Sequence, residues 1–198
     1  MDEKWKKQKG AENVKGLLKD VRWWINLFPG VMSKKMCDEI MNHDWEFKKS
    51  MYANNEGYSK KSEERVVMDE VWVSEKMKYY DELKKSFASL MELYSKEHKD
   101  FTCIRCTNFR INKYYTDGFM SRHVDNIHHS HGQQYGYPQV SALLFLNDDY
   151  DGGEFIVSGN QYKPLKGSGI IFPSNFMFPH EVKKITQGTR WSIIAWLM

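Results

Sequence analysis

The run Arg122-His123-Val124-Asp125-Asn126 places an imidazole and a carboxylate two positions apart. On an extended strand, residues two apart project from the same face, so His123 and Asp125 point together and Val124 points away. One imidazole and one carboxylate make two thirds of a site in which two histidines and a carboxylate hold one face of an octahedron. That set suits non-haem Fe(II) and leaves positions open for substrate and oxygen. A lone His-x-Asp is common as a surface pair, so the third donor decides the matter. His43, His98, His128, His129, His131 and His180 are the candidates. His43 and His98 fall at the ends of predicted helices, where solvation is expected. His128, His129 and His131 sit among Ser and Gly in a polar stretch that reads as a loop, with a second metal cluster as the alternative. His180 follows the aromatic segment Phe172-Pro173-Ser174-Asn175-Phe176-Met177-Phe178-Pro179. That places it to enter a dry cavity, the alternative being a hydrogen-bonded core histidine.

Arg190 follows His180 by ten residues and shares a predicted strand face with Ser192, with Trp191 opposite. A buried guanidinium is always charged and needs an anion, because an unpaired buried charge is very costly. Glu181 is the only acidic residue near in sequence. A small dicarboxylate would satisfy Arg190 through a bidentate contact, with the Ser192 hydroxyl as a further donor. A salt bridge to a distant Asp or Glu is the alternative.

The elements that must carry these residues change in character near residue 100. Upstream, Ser33 is placed to cap a helix in which Met36, Cys37, Ile40 and Met41 recur at helical spacing. Ser74 is the expected cap of a longer helix whose stripe of Tyr80, Leu83, Phe87, Leu90, Met91 and Tyr94 packs against a sheet. Between them, Asn54 to Glu64 reads as a polar loop and Val66 to Val73 as a strand. Downstream, strands are predicted over Thr102–Tyr115, Gln139–Leu146, Glu154–Val157, Gly169–Phe172 and Trp191–Leu197, separated by Gly- and Asn-rich turns. Many short strands imply a sandwich or barrel. The expected architecture is a mainly β jelly roll buttressed by N-terminal helices, a single domain over 1–198. Residues 1–20 are expected to be a frayed start, 21–100 supporting helices and strands, and 101–198 the jelly-roll core.

The bulk numbers agree with one globular domain: 198 residues, 41% of them apolar and 15% aromatic. Net charge is only +3, and Lys4, Lys6, Lys7 and Lys9 supply much of the basic excess. Without an aromatic-interleaved basic stripe, a solvated start is expected and nucleic-acid binding is disfavoured. No apolar run reaches membrane-span length and no signal-peptide segment is apparent, so no membrane partner and a cytoplasmic location are expected. Cys103-Ile104-Arg105-Cys106 has the spacing of a zinc knuckle or redox pair. On a strand, however, residues three apart face opposite sides. With Cys37 these are expected to be buried thiols rather than a disulfide framework.

Taken together, the chain resembles the 2-oxoglutarate/Fe(II) oxygenases, in particular their prolyl 4-hydroxylase-like branch. The resemblance rests on Tyr115-x-x-Gly118 followed by His123-Val124-Asp125-Asn126, then Ser141 to Asn147 with Tyr150-Asp151-Gly152-Gly153-Glu154-Phe155. It continues through Gly167 to Pro173, His180-Glu181-Val182, Gly188-Thr189-Arg190-Trp191 and Trp196. It is close over residues 100–198 and loose over 20–100, where Val21–Met41 looks like the family's opening strand and helix. It implies a double-stranded β-helix of cupin-like form. It makes His123, Asp125 and His180 the iron ligands and Arg190 the partner of the cosubstrate's distal carboxylate. Tyr115 becomes a wall of the cosubstrate pocket and Trp196 a neighbour of the open iron position. The Tyr115–His123 segment is one residue shorter than usual, which leaves Tyr114 as the alternative. Phe145 stands where relatives carry a tyrosine hydroxyl, so Ser192, Tyr115 or water must replace it.

The implied cofactors are Fe(II), 2-oxoglutarate and O2, with ascorbate as an accompanying reductant. The implied reaction is oxidative decarboxylation of 2-oxoglutarate to succinate and CO2, coupled to hydroxylation. Phe145, Phe172, Phe176, Phe178 and Trp196 would keep the site dry. The expected substrate is a prolyl residue in a peptide or protein, gripped by the segments Tyr52–Glu64 and Ile127–Pro138. A free amino acid or other small molecule is the alternative within the same chemistry. A non-catalytic cupin-like metal or carbohydrate module is the alternative of another class, and it has no need of Arg190.

Overall fold

The run Arg190–Leu197 is buried at every position, and such a strand needs cover on both faces. The computed structural model describes residues 20–54, 57–126 and 137–198; the lysine-rich start and His128, His129 and His131 lie outside them. In chain order the strands are β1 (Asn26–Phe28), β2 (Lys48–Lys49), β3 (Ala53–Asn54), β4 (Gly57–Tyr58), β5 (Val66–Val67), β6 (Asp69–Val73), β7 (Phe109–Tyr114) and β8 (Phe119–His123). They continue as β9 (Val140–Phe145), β10 (Asp151–Gly152), β11 (Phe155–Val157), β12 (Asn160–Tyr162), β13 (Gly169–Pro173), β14 (His180–Val182), β15 (Ile185–Gln187) and β16 (Arg190–Leu197). A large sheet runs β1-β13-β9-β16-β7-β6-β2, and a smaller one runs β12-β11-β14-β8-β5. From β7 onward the chain passes repeatedly from one sheet to the other, which gives the jelly roll its double wall.

Two apolar layers flank the large sheet, and alternation along its strands decides which residue joins which. Trp191, Ile193, Ala195 and Leu197 of β16 join the helix-covered outer layer with Phe109, Ile111, Leu83, Phe87 and Leu90. Ile194 and Trp196 turn inward with Leu143, Phe145, Phe155 and Phe172, between the two sheets. The helix Lys34–Met41 starts at Ser33, whose hydroxyl accepts from the Met36 N–H as expected. The helix Tyr80–Glu97 buries Leu83, Phe87, Leu90 and Tyr94, the expected stripe. It begins later than expected, after Tyr79 at φ 68 with no side-chain cap, because the Ser74 carbonyl is used in a tight turn with the Met77 N–H. The long helix lies so close to β13 that a Cβ at Gly169 would meet Leu90 Cδ2 at 2.9 Å.

Three expectations change. The predicted strand Val66–Val73 is two strands, β5 and β6, which lie in different sheets with Met68 between them. The first part of Thr102–Tyr115 is not a regular strand: the N–H groups of Ile104 and Arg105 both bond the Met198 carbonyl, so this stretch closes off the end of β16. Cys106 is therefore exposed and Cys103 half-buried, while Cys37 is buried as expected. Of the supporting strands expected over 21–100, β1, β2 and β6 join the large sheet and β5 the small one. Among the described residues, no helix is long and apolar enough to cross a membrane.

Candidate metal and cosubstrate site

His123 ends β8 and His180 opens β14, and the two are directly opposed in the ladder between those strands. Their ring centroids are 4.3 Å apart. Asp125 lies just past the end of β8, in a bend rather than on the strand itself. Its carboxylate still faces both rings, at 3.5 Å from His123 Nε2 and 3.3 Å from His180 Nε2. Ligand atoms of all three residues lie within 4.8 Å of one another. Each Nδ1 faces a backbone carbonyl, Ser121 O at 2.8 Å and Phe178 O at 3.2 Å. Nδ1–H donates there, which leaves each Nε2 lone pair aimed at the common centre, the arrangement metal-bound histidines adopt.

The electrostatics fit a divalent cation. Burial, helped by the neighbouring His180, holds His123 below the ordinary imidazole range, so it stays neutral as a ligand must. Burial alone would raise Asp125, but the two imidazoles outweigh it and hold the carboxyl well below its ordinary value. Burial pushes His180 down, and Asp125 more than reverses this. A buried anion whose countercharge is a proton shared with an imidazole is a site where a metal ion can replace that proton.

Ser141 holds the carboxylate in place. Its Oγ donates to Asp125 Oδ2 at 2.5 Å and lies 2.8 Å from Ser174 Oγ. Asn126 braces the same turn, with its N–H on Ser174 O and its amide on Pro138 O. Ser141 is a site residue that carries little signal in the sequence. Its signal was a hydroxyl inside the wholly buried run Val-Ser-Ala-Leu-Leu-Phe of β9. Ser141→Ala is expected to weaken metal binding roughly tenfold or more while the fold persists, as loss of a ligand-orienting bond does. A Co(II) or Fe(II) titration that gives wild-type affinity for this variant would remove Ser141 from the site.

At the other end of the same inner face lies Arg190, fully buried. Its guanidinium carbon sits 5.2 Å from the Tyr114 ring centroid, 5.4 Å from Phe145 and 5.9 Å from Phe155. Nη1 donates to Ser192 Oγ at 3.2 Å, while Nε and Nη2 have no partner. Among the described residues no carboxylate pairs with it. A charged fork with two buried donor atoms unspent, in an aromatic pocket, is an arrangement that a carboxylate would complete. Tyr114 rather than Tyr115 borders that pocket. Tyr114 ends β7 opposite Arg190, while Tyr115, just past the strand, is 44% exposed under the Lys113 ammonium.

Other candidates fall elsewhere. His98 is buried, not solvated: it stacks on Trp24 and meets Asn26 Oδ1 at 2.6 Å. His43 is half-buried, edge-on to Trp45 and Tyr79. Phe145, Phe172 and Phe178 are in the inner layer, but Phe176 is 81% exposed and dries nothing. Trp196 is in that layer too, opposite Ser141 across the β9–β16 ladder. Tyr52 approaches His123 edge-on at 6.4 Å. Arg65 fixes it there through its hydroxyl and also bonds Ser121 on β8. Most of the segment Ile127–Pro138 lies outside the described residues.

Residues 109–198 match the 2OG-Fe(II) oxygenase superfamily. Over 69 residues the chain is 41% identical to prolyl 3-hydroxylase 2 of Mus musculus, a stretch that is 31% of this chain and 10% of that protein. Over 96 residues it is 35% identical to a PKHD-type hydroxylase of Hyphomonas neptunium, spanning 44% of this chain and 41% of that protein. The chain thus spans less than half the length of these relatives. Among solved structures, a prolyl hydroxylase in complex with a hypoxia inducible factor peptide fragment, from Trichoplax adhaerens, aligns with TM-score 0.70 and 17% identity. That alignment covers 100% of this chain and 94% of the other. The viral collagen prolyl hydroxylase of Paramecium Bursaria Chlorella virus-1 aligns with TM-score 0.67 and 14% identity, covering 88% and 95%. At these identities the structures bear on fold alone, and the fold is the prolyl hydroxylase jelly roll. The sequence match begins at the first residue of β7 and takes in His123, Asp125, His180 and Arg190, so the stretch that carries the cluster and the buried arginine is the stretch that is similar to the 2OG-Fe(II) oxygenase superfamily.

Proposed function

We propose that this chain is an Fe(II)- and 2-oxoglutarate-dependent dioxygenase that hydroxylates prolyl residues in a peptide or protein. The carrying observation is Arg190, a fully buried cation with two unspent donor atoms and no anion among the described residues, enclosed by the same two sheets as the His-Asp-His cluster. A cupin-like binding module has no use for that arrangement, whereas a dicarboxylate cosubstrate completes it. His123, Asp125 and His180 would hold the iron, and Arg190 with Ser192 the distal carboxylate of 2-oxoglutarate. Iron, 2-oxoglutarate and O2 together supply the oxidation, with succinate and CO2 as products and a C–H of the substrate converted to C–OH.

The chain's own residues bind, orient and exclude water. Ser192 accepts from Arg190, so its own proton is free for the cosubstrate, the donor that Phe145 cannot supply. Phe145, Phe155 and Phe172 form a dry wall between the two binding ends. Ascorbate belongs to the same proposal as a reductant that maintains Fe(II). The prolyl assignment draws on what the relatives' names say of them. It is tested by succinate release across a peptide panel with and without proline. A proline-free small molecule turned over faster than any proline peptide would sink the prolyl assignment and leave the oxygenase.

Tyr52 lies next to His123 with the Arg65 guanidinium over one face of its ring, and the opposite face would receive the flat ring of a proline. Tyr52→Ala is expected to raise the KM for peptide about tenfold, with a much smaller change in peptide-independent 2-oxoglutarate decarboxylation. Equal losses in both assays would make the segment Tyr52–Glu64 a connector only.

A further inference from the structure

The inner face of the large sheet carries a second buried cation. On β7, Arg110, Asn112 and Tyr114 alternate inward while Phe109 and Ile111 turn out to the helices. Arg110 is 8% exposed and Asn112 3% exposed. Tyr114 pairs with Arg190 across the β7–β16 ladder, so Arg110 lies four residues from that end, about 13 Å along the strand. The Arg110 guanidinium carbon stands 5.0 Å from the ring of Trp196, which is itself opposite Ser141, the residue that holds Asp125. The two arginines therefore bracket the cluster region, Arg190 at the proposed cosubstrate end and Arg110 at the other.

Both are cations, but their partners differ, and the difference indicates what each can take. Arg190 has no anion among the described residues and suits a carboxylate. Arg110 already has one: its Nη1 lies 3.4 Å from Glu70 Oε2, and Glu70 is further held by Ser50 and Trp72. A second carboxylate here would meet the negative charge of Glu70. What remains unspent is neutral hydrogen-bonding capacity, one donor on Arg110 Nε and one acceptor on Asn112 Oδ1. A buried pair of this kind is costly unless a ligand completes it. In an extended chain, the N–H and C=O of one residue point to the same side. Such a residue presents an acceptor and a donor together, which matches the open donor on Arg110 and the open acceptor on Asn112. Glu70 and Trp72, on the neighbouring strand, are half-buried and bring this array to the molecular surface.

We propose that Arg110 and Asn112 form a main-chain subsite that grips the residue following the modified proline, its carbonyl on Arg110 Nε and its N–H on Asn112 Oδ1. The inference rests on the peptide-hydroxylase reading. It also specifies that reading, since a subsite for a neutral peptide group selects an extended peptide over a free amino acid.

The test compares two fluorescein-labelled peptides, each with a single proline, one with an amide and one with an ester at the bond after proline. Binding to the full chain is read by fluorescence anisotropy. The amide form should bind wild type about tenfold more tightly than the ester, the usual weight of a bond to a buried acceptor. Asn112→Leu should abolish that preference, and Arg110→Gln should weaken both peptides about tenfold. Equal affinity of wild type for amide and ester overturns the subsite. So does a preference that survives in Asn112→Leu, which would leave Asn112 a structural role only. Failure of every proline peptide to bind, or free proline competing better than acetyl-proline-amide, overturns it as well. A peptide that binds with the predicted preference but releases no succinate leaves the subsite standing and removes the hydroxylase reading.

Discussion

Alanine at His123, Asp125 or His180 is expected to take Fe(II)-dependent succinate release to background in each case, with the chain still folded. The three donors lie within 4.8 Å of one another, and a metal held by three protein ligands on one face has no fourth protein donor to fall back on. Among the described residues no other group of three such side chains converges. Each residue is replaceable as far as folding goes. The histidines sit at strand ends and Asp125 beyond one, while the large sheet takes its cohesion from β9, β16 and the helices behind them. Asp125→Asn keeps the shape and removes the charge. Its melting temperature should stay within about 4 °C of wild type, about 1 kcal/mol for a chain of this size, while bound iron is lost. Iron content after reconstitution is the direct measurement. A His180→Ala protein that retains stoichiometric iron and full turnover would move the third ligand elsewhere.

What could be read before the structure was what local chemistry dictates. His-x-Asp, an aromatic lead-in to His180 and an arginine ten residues on are local patterns; His123, His180 and Arg190 lie on strands, whereas Asp125 lies in a bend just past β8 and still faces both rings. The Leu83, Phe87, Leu90 and Tyr94 stripe was legible because a helix packed on a sheet must bury one face. What escaped was settled by partners distant in sequence. Val66–Val73 has an unbroken strand pattern, yet Val66 and Val67 pair with β8 whereas Asp69–Val73 pair with β7; a period of two carries no information about which sheet a strand joins. Cys103 and Cys106 lost their strand to the chain terminus, since the Met198 carbonyl is the acceptor that Ile104 and Arg105 use. Tyr114 and Tyr115 are adjacent, and only the register against Arg190 chose between them. Arg110 and Asn112 sit on the apolar-looking strand Phe-Arg-Ile-Asn-Lys-Tyr. The alternation of that strand was visible, but which face was interior was not.

Arg190→Met is expected to move two measurements in opposite directions. In the absence of 2-oxoglutarate the wild type buries a guanidinium with Nε and Nη2 unpartnered and no carboxylate beside it among the described residues. The aromatic rings of Tyr114, Phe145 and Phe155 return only part of that desolvation cost. A methionine of similar length removes the charge and packs against the same rings, so the ligand-free variant should unfold at a higher temperature than wild type. The 2-oxoglutarate requirement should rise about a hundredfold, roughly 3 kcal/mol, because a charge-assisted fork is lost at once. Arg190→Lys should recover part of the affinity, as a point charge without the fork geometry. Ligand-induced thermal shift reads both effects without turnover. Saturating 2-oxoglutarate at about a hundred times its Kd stabilises the wild type by about 2.7 kcal/mol, and the same concentration should barely move Arg190→Met. A variant that keeps the full shift would place the distal carboxylate on another cation. Lys183 and Lys184 are poor substitutes, being half-exposed or more and engaged with Glu181 and Asp117. A variant that loses both the shift and its ligand-free stability would show Arg190 to be a structural cation whose partner is protein, and the cosubstrate site would have to be sought at the other end of the inner face.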